Sequence, residues 1–320
     1  MSFKDIKGHS KQINMLEELI RQKKANGGFL FTGPEGIGKG MVAKILAKAV
    51  NCSVGGLDSC DNCPSCLKID KGNHPDVHII ECENSETIKI EQIRQLQKAI
   101  YLMPFEAKTK VFIIDNAHKL TAEAANSLLK ILEEPPGNSL IILITSAPGK
   151  LFKTILSRCK SLRFAAFDRS ALQKILEADY NLRPMDAHFL AYFSEGRIGD
   201  SIRLKDTDII ADKQKLIDAF VYSRQFSPEV MDLQKREQVR FALGILSCWF
   251  RDIYLIKTGV SYQELINNDR KDDLLKIMNR YTFVDLDEVF QAISDSLLYL
   301  EQNVNVKLLV SNLRTVLWKN

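Results

Sequence analysis

The sequence predicts an α/β domain built on a parallel sheet, followed by an entirely helical region. Up to about residue 165, short apolar runs typical of buried strands alternate with amphipathic helical segments. This alternation favours a largely parallel sheet with helices on both of its faces. From Asp168 onward the pattern is helical, without a convincing strand. The 320 residues, with 45% hydrophobic content, can supply the cores of two or three domains.

The elements of the α/β part follow from periodicity and from start and stop signals. The first predicted helix covers 10–25, where Ile13, Leu16 and Ile20 share one face. The helix predicted over 121–134 begins at a capping threonine, Thr121, and ends before two prolines. Two further helices are predicted at 39–50 and 90–101, and strands at 28–33, 76–80, 110–115, 139–147 and 161–164.

The helical part divides into two domains. Three short helices, which make a compact unit, are predicted at 170–179, 184–194 and 198–204. Five further helices, some longer and some short, are predicted at 208–224, 228–258, 262–268, 270–279 and 283–318. The sequence therefore predicts three domains, which are an α/β domain at 1–166, a small three-helix domain at 167–207 and a C-terminal helical domain at 208–320.

The bulk composition excludes some classes of protein and bounds others. The net charge of +4 permits contact with nucleic acid without arguing for it. No apolar run approaches the roughly 20 residues that cross a bilayer, and the first ten residues, MSFKDIKGHS, lack the apolar core of a signal peptide. We therefore expect a cytoplasmic protein, in which the seven cysteines do not form a disulfide framework.

The segment GPEGIGKG (33–40) has the spacing of a phosphate-binding loop. Gly33, Gly38 and Lys39 follow a predicted strand and open a predicted helix, which is the context such a loop requires. Glycines let backbone N–H groups approach phosphate oxygens, and the helix N-terminus and Lys39 favour the anion. The simpler interpretation is a glycine-rich turn with a surface lysine. The next residue is Gly40, where a Mg²⁺-binding hydroxyl is expected.

A second acidic element follows about seventy residues downstream. The strand VFIID ends at Asp115, which could serve as a metal-side carboxylate or merely cap a turn. Asn116 comes next, and its amide is a poor base at physiological pH.

These motifs together resemble the AAA+ ATPases of the clamp-loader group, and the resemblance covers nearly the whole chain. It rests on FTGPEGIGKG, the cysteine module, VFIIDNAHKLTAEAANSLLKILEEPP, LIILITSAP and LSRCKSLRF. It implies a lid at 167–207 and an oligomeric collar at 208–320. Thr145 completes a degenerate nucleotide site.

The resemblance also implies which catalytic groups are missing. Hydrolytic relatives carry a glutamate at the position of Asn116, and an arginine that reaches the phosphates at the position of Gly199, in GRIGDSIRL. Together with Gly40, three positions that act on bound ATP have changed. The chain is therefore expected not to hydrolyse nucleotide itself.

One catalytic group is retained. In the clamp-loader group, the arginine of the Ser-Arg-Cys motif projects onto the γ-phosphate held by the adjacent subunit, and here that residue is Arg158. A guanidinium suits this role because it is planar, permanently charged and rich in donors. The resemblance thus implies an arginine finger acting in trans, whereas an isolated arginine before a strand is ordinarily a surface residue.

Four cysteines within fifteen residues predict a metal site in an insertion at about 51–67. Cys52, Cys60, Cys63 and Cys66 supply four soft ligands, which suit tetrahedral Zn²⁺ in a closed structural site. We expect Pro64 to favour a tight turn between two of them. The two-residue gaps also resemble part of an iron–sulfur run, although its fourth cysteine is spaced differently. Four unrelated reduced cysteines are the remaining interpretation.

The resemblance further implies a five-membered ring with ATPase subunits of the gamma/tau type and a delta-type subunit, which loads a sliding clamp onto primed DNA. Lys98, Lys108 and Lys110 are candidates to meet the DNA backbone. Two alternatives stay open from the sequence. One is an active clamp-loader ATPase that tolerates Gly40, and the other is a free-standing zinc-bearing module that binds nucleic acid.

Overall fold

The structure is a computed structural model that describes residues 1–82, 86–219, 236–302 and 304–317. Contacts between Cα atoms divide the chain into two compact units. The first contains Met1–Phe167 together with Arg197–Gly199, and the second contains Asp168–Gly196 and Asp200–Asn320. The division of the helical part into a lid and a collar stays a prediction.

The first unit is built on a five-stranded parallel sheet. Its strands are β1 (Gly27–Thr32), β2 (Val77–Ile80), β3 (Lys110–Ile114), β4 (Ser139–Thr145) and β5 (Lys160–Arg163). They lie in the order β2-β3-β4-β1-β5, and every pairing is parallel. The predicted parallel sheet is confirmed, and the predicted strands overlap the observed ones.

Helices cover both faces of this sheet. The helices of the first unit are α1 (Ser10–Arg21), α2 (Lys39–Asn51), α3 (Pro64–Asp70), α4 (Ile90–Ile100), α5 (Ala122–Glu133) and α6 (Lys153–Leu156). Alternate strand residues enter different cores, as the period of two requires. Phe29 and Phe31 pack with residues of α1 and α2, whereas Leu30 packs with residues of α4 and α5.

Capping at a helix N-terminus shows why the sequence predicted the helices of this unit. Thr121 caps α5, as predicted, because its side chain accepts a hydrogen bond from the N–H of Ala124. The helix predicted over 10–25 ends earlier, at Arg21. Helices α3 and α6 were not predicted, since both are short and neither shows a full period of apolar residues.

Asp76, just before β2, fixes the loop that leads into β3. Its carboxylate accepts hydrogen bonds from the N–H groups of Phe105, Glu106 and Ala107 at 2.8–2.9 Å. Burial raises the pKa of this carboxyl, but the three backbone bonds outweigh burial and leave the pKa below its ordinary value of 3.8. A buried carboxylate therefore satisfies three consecutive backbone donors.

Replacing Asp76 with alanine is expected to lower the free energy of unfolding by about 2–4 kcal/mol, because three backbone donors lose their acceptor. Urea denaturation at neutral pH measures this loss, and Asp76→Asn, which keeps one oxygen, should lose less. Since the folded pKa is depressed, this contribution is full above pH 3.8 and disappears as the pH falls further. Equal stability of Asp76→Ala and the unmodified chain at pH 7 would contradict this account.

The second unit is helical throughout its described residues. Its helices are α7 (Arg169–Tyr180), α8 (Pro184–Phe193), α9 (Ile198–Lys205), which begins in the segment assigned to the first unit, α10 (Ile209–Asp218), α11 (Arg236–Lys257), α12 (Lys271–Ile277), α13 (Phe283–Glu301) and α14 (Val306–Leu317). Trp249 of α11 is fully buried in the core formed mainly by α11, α13 and α14.

Two predicted helices of this unit are wrong in detail. The helix predicted over 283–318 is two helices, because Asn305 starts α14 by accepting a hydrogen bond from the N–H of Lys307. The segment 262–268 contains only single 3₁₀ turns, at Tyr262–Glu264 and from Asn268. Residues 220–235, where two other predicted helices end and begin, lie outside the described residues.

Within the described ranges, no helix combines the length and the apolar character that a bilayer crossing requires.

Candidate functional site

The phosphate loop lies between β1 and α2, and its geometry demands glycine at two positions. Gly33 has φ +144°, and a Cβ there would lie 2.2 Å from the carbonyl oxygen of Phe164. Gly38, at the N-terminus of α2, has φ +95°. Both conformations are strained for residues with a side chain. The strand–glycine loop–helix arrangement predicted from the sequence is therefore present.

Lys39 binds the loop itself. Its Nζ donates hydrogen bonds to the carbonyl oxygens of Gly33 at 2.8 Å and of Pro34 at 2.5 Å, and the residue is buried. Burial lowers the pKa of the Lys39 ammonium, and the nearby carboxylates of Asp115 and Glu35 oppose that effect. These two hydrogen bonds hold the Lys39 side chain against the loop.

Gly40 is not imposed by a lack of space. A Cβ built at this position meets no heavy atom within 4 Å. A serine or threonine would therefore fit here without a clash. The chain lacks the hydroxyl that ligates Mg²⁺ in complete phosphate loops, although the fold has room for it.

Asp115 and Asn116 follow β3 at the same edge of the sheet as the loop. Asn116 adopts the left-handed conformation, with φ 52° and ψ 45°, which asparagine tolerates better than most residues. Its N–H donates to Oδ1 of Asp115 at 2.9 Å. The acidic residue is thus held by its own neighbour, and that neighbour offers an amide rather than a base.

Thr145, the last residue of β4, joins this edge. It pairs in register with Thr32 of β1, and its carbonyl oxygen accepts the N–H of Gly33 at 3.2 Å. Its buried hydroxyl accepts a hydrogen bond from the N–H of Ala147 at 3.0 Å and lies 3.1 Å from Nδ1 of His118. Sequence reasoning did not identify His118. This residue ends the segment DNAH, and only the structure shows that it lies beside Thr145.

Gly199 also contacts the loop, within the short segment 197–199 that belongs to the first unit. Its N–H donates to the carbonyl oxygen of Gly36 at 2.8 Å. A Cβ at this position would lie 2.6 Å from the same oxygen. No residue with a side chain, arginine included, can replace Gly199 unless one of these backbones moves.

Arg158 lies at the opposite edge of the sheet from the phosphate loop. It precedes β5, whose Lys160 pairs with Phe29, so Arg158 lies level with the beginning of β1. Gly33 follows the end of β1, and six residues of extended chain separate the two levels by about 20 Å. The Arg158 guanidinium donates to Oε1 of Glu133 at 2.6 Å and to the carbonyl oxygen of Thr154 at 2.9 Å. Cys159, which follows, is half-buried, and burial raises its pKa to about 12.

The four clustered cysteines converge on one point. The sulfur atoms of Cys52, Cys60, Cys63 and Cys66 all lie within 4.8 Å of one another, and three of the four residues are buried. A tetrahedral Zn²⁺ with four sulfur ligands would separate its sulfurs by about 3.8 Å. The backbone N–H groups of Cys63 and Cys66 donate to the sulfurs of Cys60 and Cys63. This group could hold a metal ion, and its donor set fits zinc.

Burial and mutual interactions shift the pKa values of two thiols within the cluster in opposite directions. Burial raises the pKa of the Cys63 thiol, but N–H donors from Cys66 and Ser53 outweigh burial and lower it to about 6. Burial, reinforced by the neighbouring Cys63, raises the pKa of Cys66 to about 12. Four close sulfurs cannot all ionise unless a cation balances them, and a bound metal supplies that cation.

Family comparisons assign the chain. The family model described as "DNA polymerase III, delta subunit" matches residues 8–168, and the model of the C-terminal part of the same subunit matches 209–317. DNA polymerase III subunit delta' of Bacillus subtilis (strain 168) is 30% identical over 319 residues, covering 94% of this chain and 93% of that protein. This chain belongs to the delta-prime family of DNA polymerase III subunits.

Other proteins named for DNA polymerase III subunits are also similar to this chain. DNA polymerase III subunit tau of B. subtilis (strain 168) is 29% identical over 303 residues, which cover 86% of this chain and 54% of tau. Among solved structures, a gamma-subunit-related protein of Thermotoga maritima aligns with 96% of this chain and 98% of its own, at 18% identity and a TM-score of 0.44. The resemblance to the clamp-loader group is confirmed, and this chain is a clamp-loader subunit of DNA polymerase III.

The cysteine module packs against an ion cluster around a buried lysine, which the sequence did not reveal. Lys48 of α2 is fully buried, and its Nζ donates to Asp61 at 2.5 Å and to Asp70 at 3.0 Å. Asp61 lies between two cysteines, and Asp70 ends α3. Pro64 starts α3 rather than forming the predicted turn, because proline suits the first helical position.

Two of the three lysines considered for DNA contact have structural partners. Nζ of Lys108 donates to the carbonyl oxygen of Cys52 at 2.6 Å, and Nζ of the buried Lys110 donates to that of Ala99 at 2.7 Å. These ammonium groups therefore satisfy carbonyl groups at the C-terminal ends of α2 and α4. The structure gives no support for a contact between these two lysines and DNA.

A surface that sequence reasoning missed follows α4. Tyr101, Leu102, Met103 and Phe105 are 60%, 66%, 89% and 84% exposed. Exposed apolar patches of this kind mark contacts with other molecules more often than free surface. The sequence run YLMPF could have indicated this surface, because it extends the apolar residues of α4 beyond the end of the helix, where they are exposed.

Proposed function

We propose that this chain is a non-hydrolysing, stator-type subunit of the DNA polymerase III clamp loader, and that it supplies Arg158 to the ATP site of a neighbouring subunit. The observation that carries the proposal is the separation of Arg158 from the chain's own phosphate loop. The two lie at opposite edges of the sheet, about 20 Å apart along the strands. A nucleotide on which Arg158 acts must therefore be held by another chain.

The chain's own site supports an inactive role, because three groups that act on bound ATP are absent. Gly40 offers no magnesium ligand, and Asn116 offers no general base. Gly199 replaces the phosphate-binding arginine of catalytic members and leaves no space for it.

Arg158 would serve the neighbouring site through charge and shape. As the γ-phosphoryl group is transferred, negative charge spreads over its oxygens, and a planar guanidinium donates to two of them at once. The charge is permanent, since arginine stays protonated at any physiological pH. The side chain is one-third exposed, so a partner can reach it.

The cysteine cluster is proposed to hold a structural Zn²⁺. Cys52, Cys60, Cys63 and Cys66 would hold the ion with four protein ligands, which leaves no position for a substrate. The metal would contribute charge balance and cross-linking, tying the end of α2 to α3. This is a stabilising role rather than a catalytic one.

The partners follow from the same reasoning. We propose that the chain works in the cytoplasm in a five-membered ring with gamma/tau-type and delta-type subunits, and that the ring loads the sliding clamp onto primed DNA. Residues 208–320 would form the collar of that ring, and 167–207 would form the lid. The exposed apolar side chains of 101–105 support a role in contact with other proteins.

Nucleotide turnover by the isolated chain tests the inactive site. The purified protein is expected to show no magnesium-dependent ATP hydrolysis above background, because it lacks the metal ligand and the general base. Lys39→Ala should leave that background unchanged. Magnesium-dependent turnover that Lys39→Ala abolishes would instead favour an active ATPase of the gamma/tau type.

A further inference from the structure

We propose that Glu133 is the residue that positions Arg158 for the neighbouring nucleotide. This inference rests on the function proposed above for Arg158. The ion pair joins a carboxylate at the end of α5 to a guanidinium just before β5, two segments that are 25 residues apart in the chain. Glu133 would touch neither ATP nor magnesium, and it would act only through the arginine.

The contacts define one orientation of the guanidinium. One terminal nitrogen, Nη2, donates to Oε1 of Glu133 at 2.6 Å, and the other, Nη1, donates to the carbonyl oxygen of Thr154 at 2.9 Å. Glu133 and Thr154 therefore hold the two ends of the planar group. An unpaired arginine side chain would instead sample many rotamers, and it would have to be ordered each time it met a phosphate.

The backbone that carries the Glu133 carboxylate is fixed by the packing of its neighbours in the core. Glu133 is the last residue of α5, directly after Ile131 and Leu132, which are both buried in the core. The backbones also approach closely here, since a Cβ added at Gly28 would lie 2.9 Å from Leu132 and 3.4 Å from the carbonyl oxygen of Arg158. The packing of the sheet thus determines the relative positions of the two charged residues.

The ion pair contributes little to the stability of the fold. The side chains of Arg158 and Glu133 are 32% and 50% exposed. Ion pairs as exposed as this one add little to folding stability, because water screens the charges and ordering two long side chains costs entropy. What the pair changes is the freedom of the arginine, so its effect belongs to function.

The pairing is compatible with phosphate binding. An arginine side chain has five N–H donors, and each terminal nitrogen carries two of them. Glu133 takes one N–H of Nη2, and Thr154 takes one of Nη1. Nη1 also donates to Oγ of Ser157 at 3.5 Å, whereas Nη2 retains a second N–H for a phosphate oxygen. The arginine therefore does not have to leave Glu133 to bind a phosphate.

Single-turnover ATP hydrolysis at the neighbouring site, measured in the complex reconstituted with gamma/tau-type and delta-type subunits, tests this role. Glu133→Ala is expected to slow the hydrolysis step about three- to tenfold, the cost of ordering one long side chain. The affinity of that site for ATP should stay unchanged. Glu133→Gln, whose amide oxygen still accepts from the guanidinium, should fall between Glu133→Ala and the unmodified chain. Glu134→Ala, an exposed change at the next residue, is the matched control and should have no effect.

The double variant separates positioning from a general structural effect. In an Arg158→Ala background, Glu133→Ala is expected to cause no further loss, because its target is already absent. An equal loss in that background would overturn the inference, as would faster hydrolysis by Glu133→Ala, which would identify an inhibitory contact. If Arg158→Ala slows hydrolysis and Glu133→Ala does not, this inference fails alone. If Arg158→Ala has no effect, the proposed function itself fails.

Discussion

Replacing Arg158 with alanine is expected to slow ATP hydrolysis at the neighbouring site by about 10³-fold, the lower range for losing an arginine finger. The physical reason is that a guanidinium stabilises charge that appears only as the phosphoryl group is transferred. The ground-state affinity for ATP should change little. Steady-state turnover sums over all ATP sites of the complex, so a single-turnover measurement at the neighbouring site is needed to resolve this effect.

Two further variants show what the arginine contributes. Arg158→Lys keeps the charge but loses the planar fork, so it should recover only part of the rate. Arg163→Ala removes an exposed arginine from the other end of β5 and serves as the control. Assembly of the complex should be unaffected in all three variants. Unchanged hydrolysis by Arg158→Ala in a fully assembled complex would remove the finger assignment.

The second large effect is expected on removal of the metal. The purified chain should contain about one zinc ion, and a strong chelator should lower its thermal stability sharply, because structural zinc contributes folding free energy directly. Cys66→Ser should destabilise the first unit by several kcal/mol, roughly the scale of losing a metal site. Metal analysis and thermal denaturation of the same samples measure both quantities.

The structure also indicates how far this effect should extend. Cys52 directly follows α2, the helix that the phosphate loop opens, and Cys63 and Cys66 lie at the start of α3. Loss of the metal should therefore loosen the far end of α2. Cys82→Ser, at a half-buried thiol outside the cluster, is the matched control. Substoichiometric zinc after gentle purification, together with a normally folded Cys66→Ser chain, would argue against the site.

Patterns between near neighbours in the chain were sufficient for most of the fold. Apolar runs and glycine or proline signals predicted the parallel sheet and the helices on its two faces. The four cysteines were recognised as a metal site because they lie within fifteen residues of one another in the sequence. The same approach failed at the break between α13 and α14, where Asn305 caps a new helix inside a continuous apolar pattern. It also missed α3, which is too short to show periodicity.

By itself, the sequence determined which chemical groups are present. It showed the missing hydroxyl at Gly40, the amide at Asn116, the retained Arg158 and the four thiols. Only the tertiary structure decided what these groups contact. Lys39 turns onto its own loop, Gly199 meets Gly36, and Arg158 meets Glu133 at the far edge of the sheet. The reason is that short-range patterns depend on residues a few positions apart, whereas these contacts arise from the order in which β1 to β5 lie in the sheet and from the packing around it.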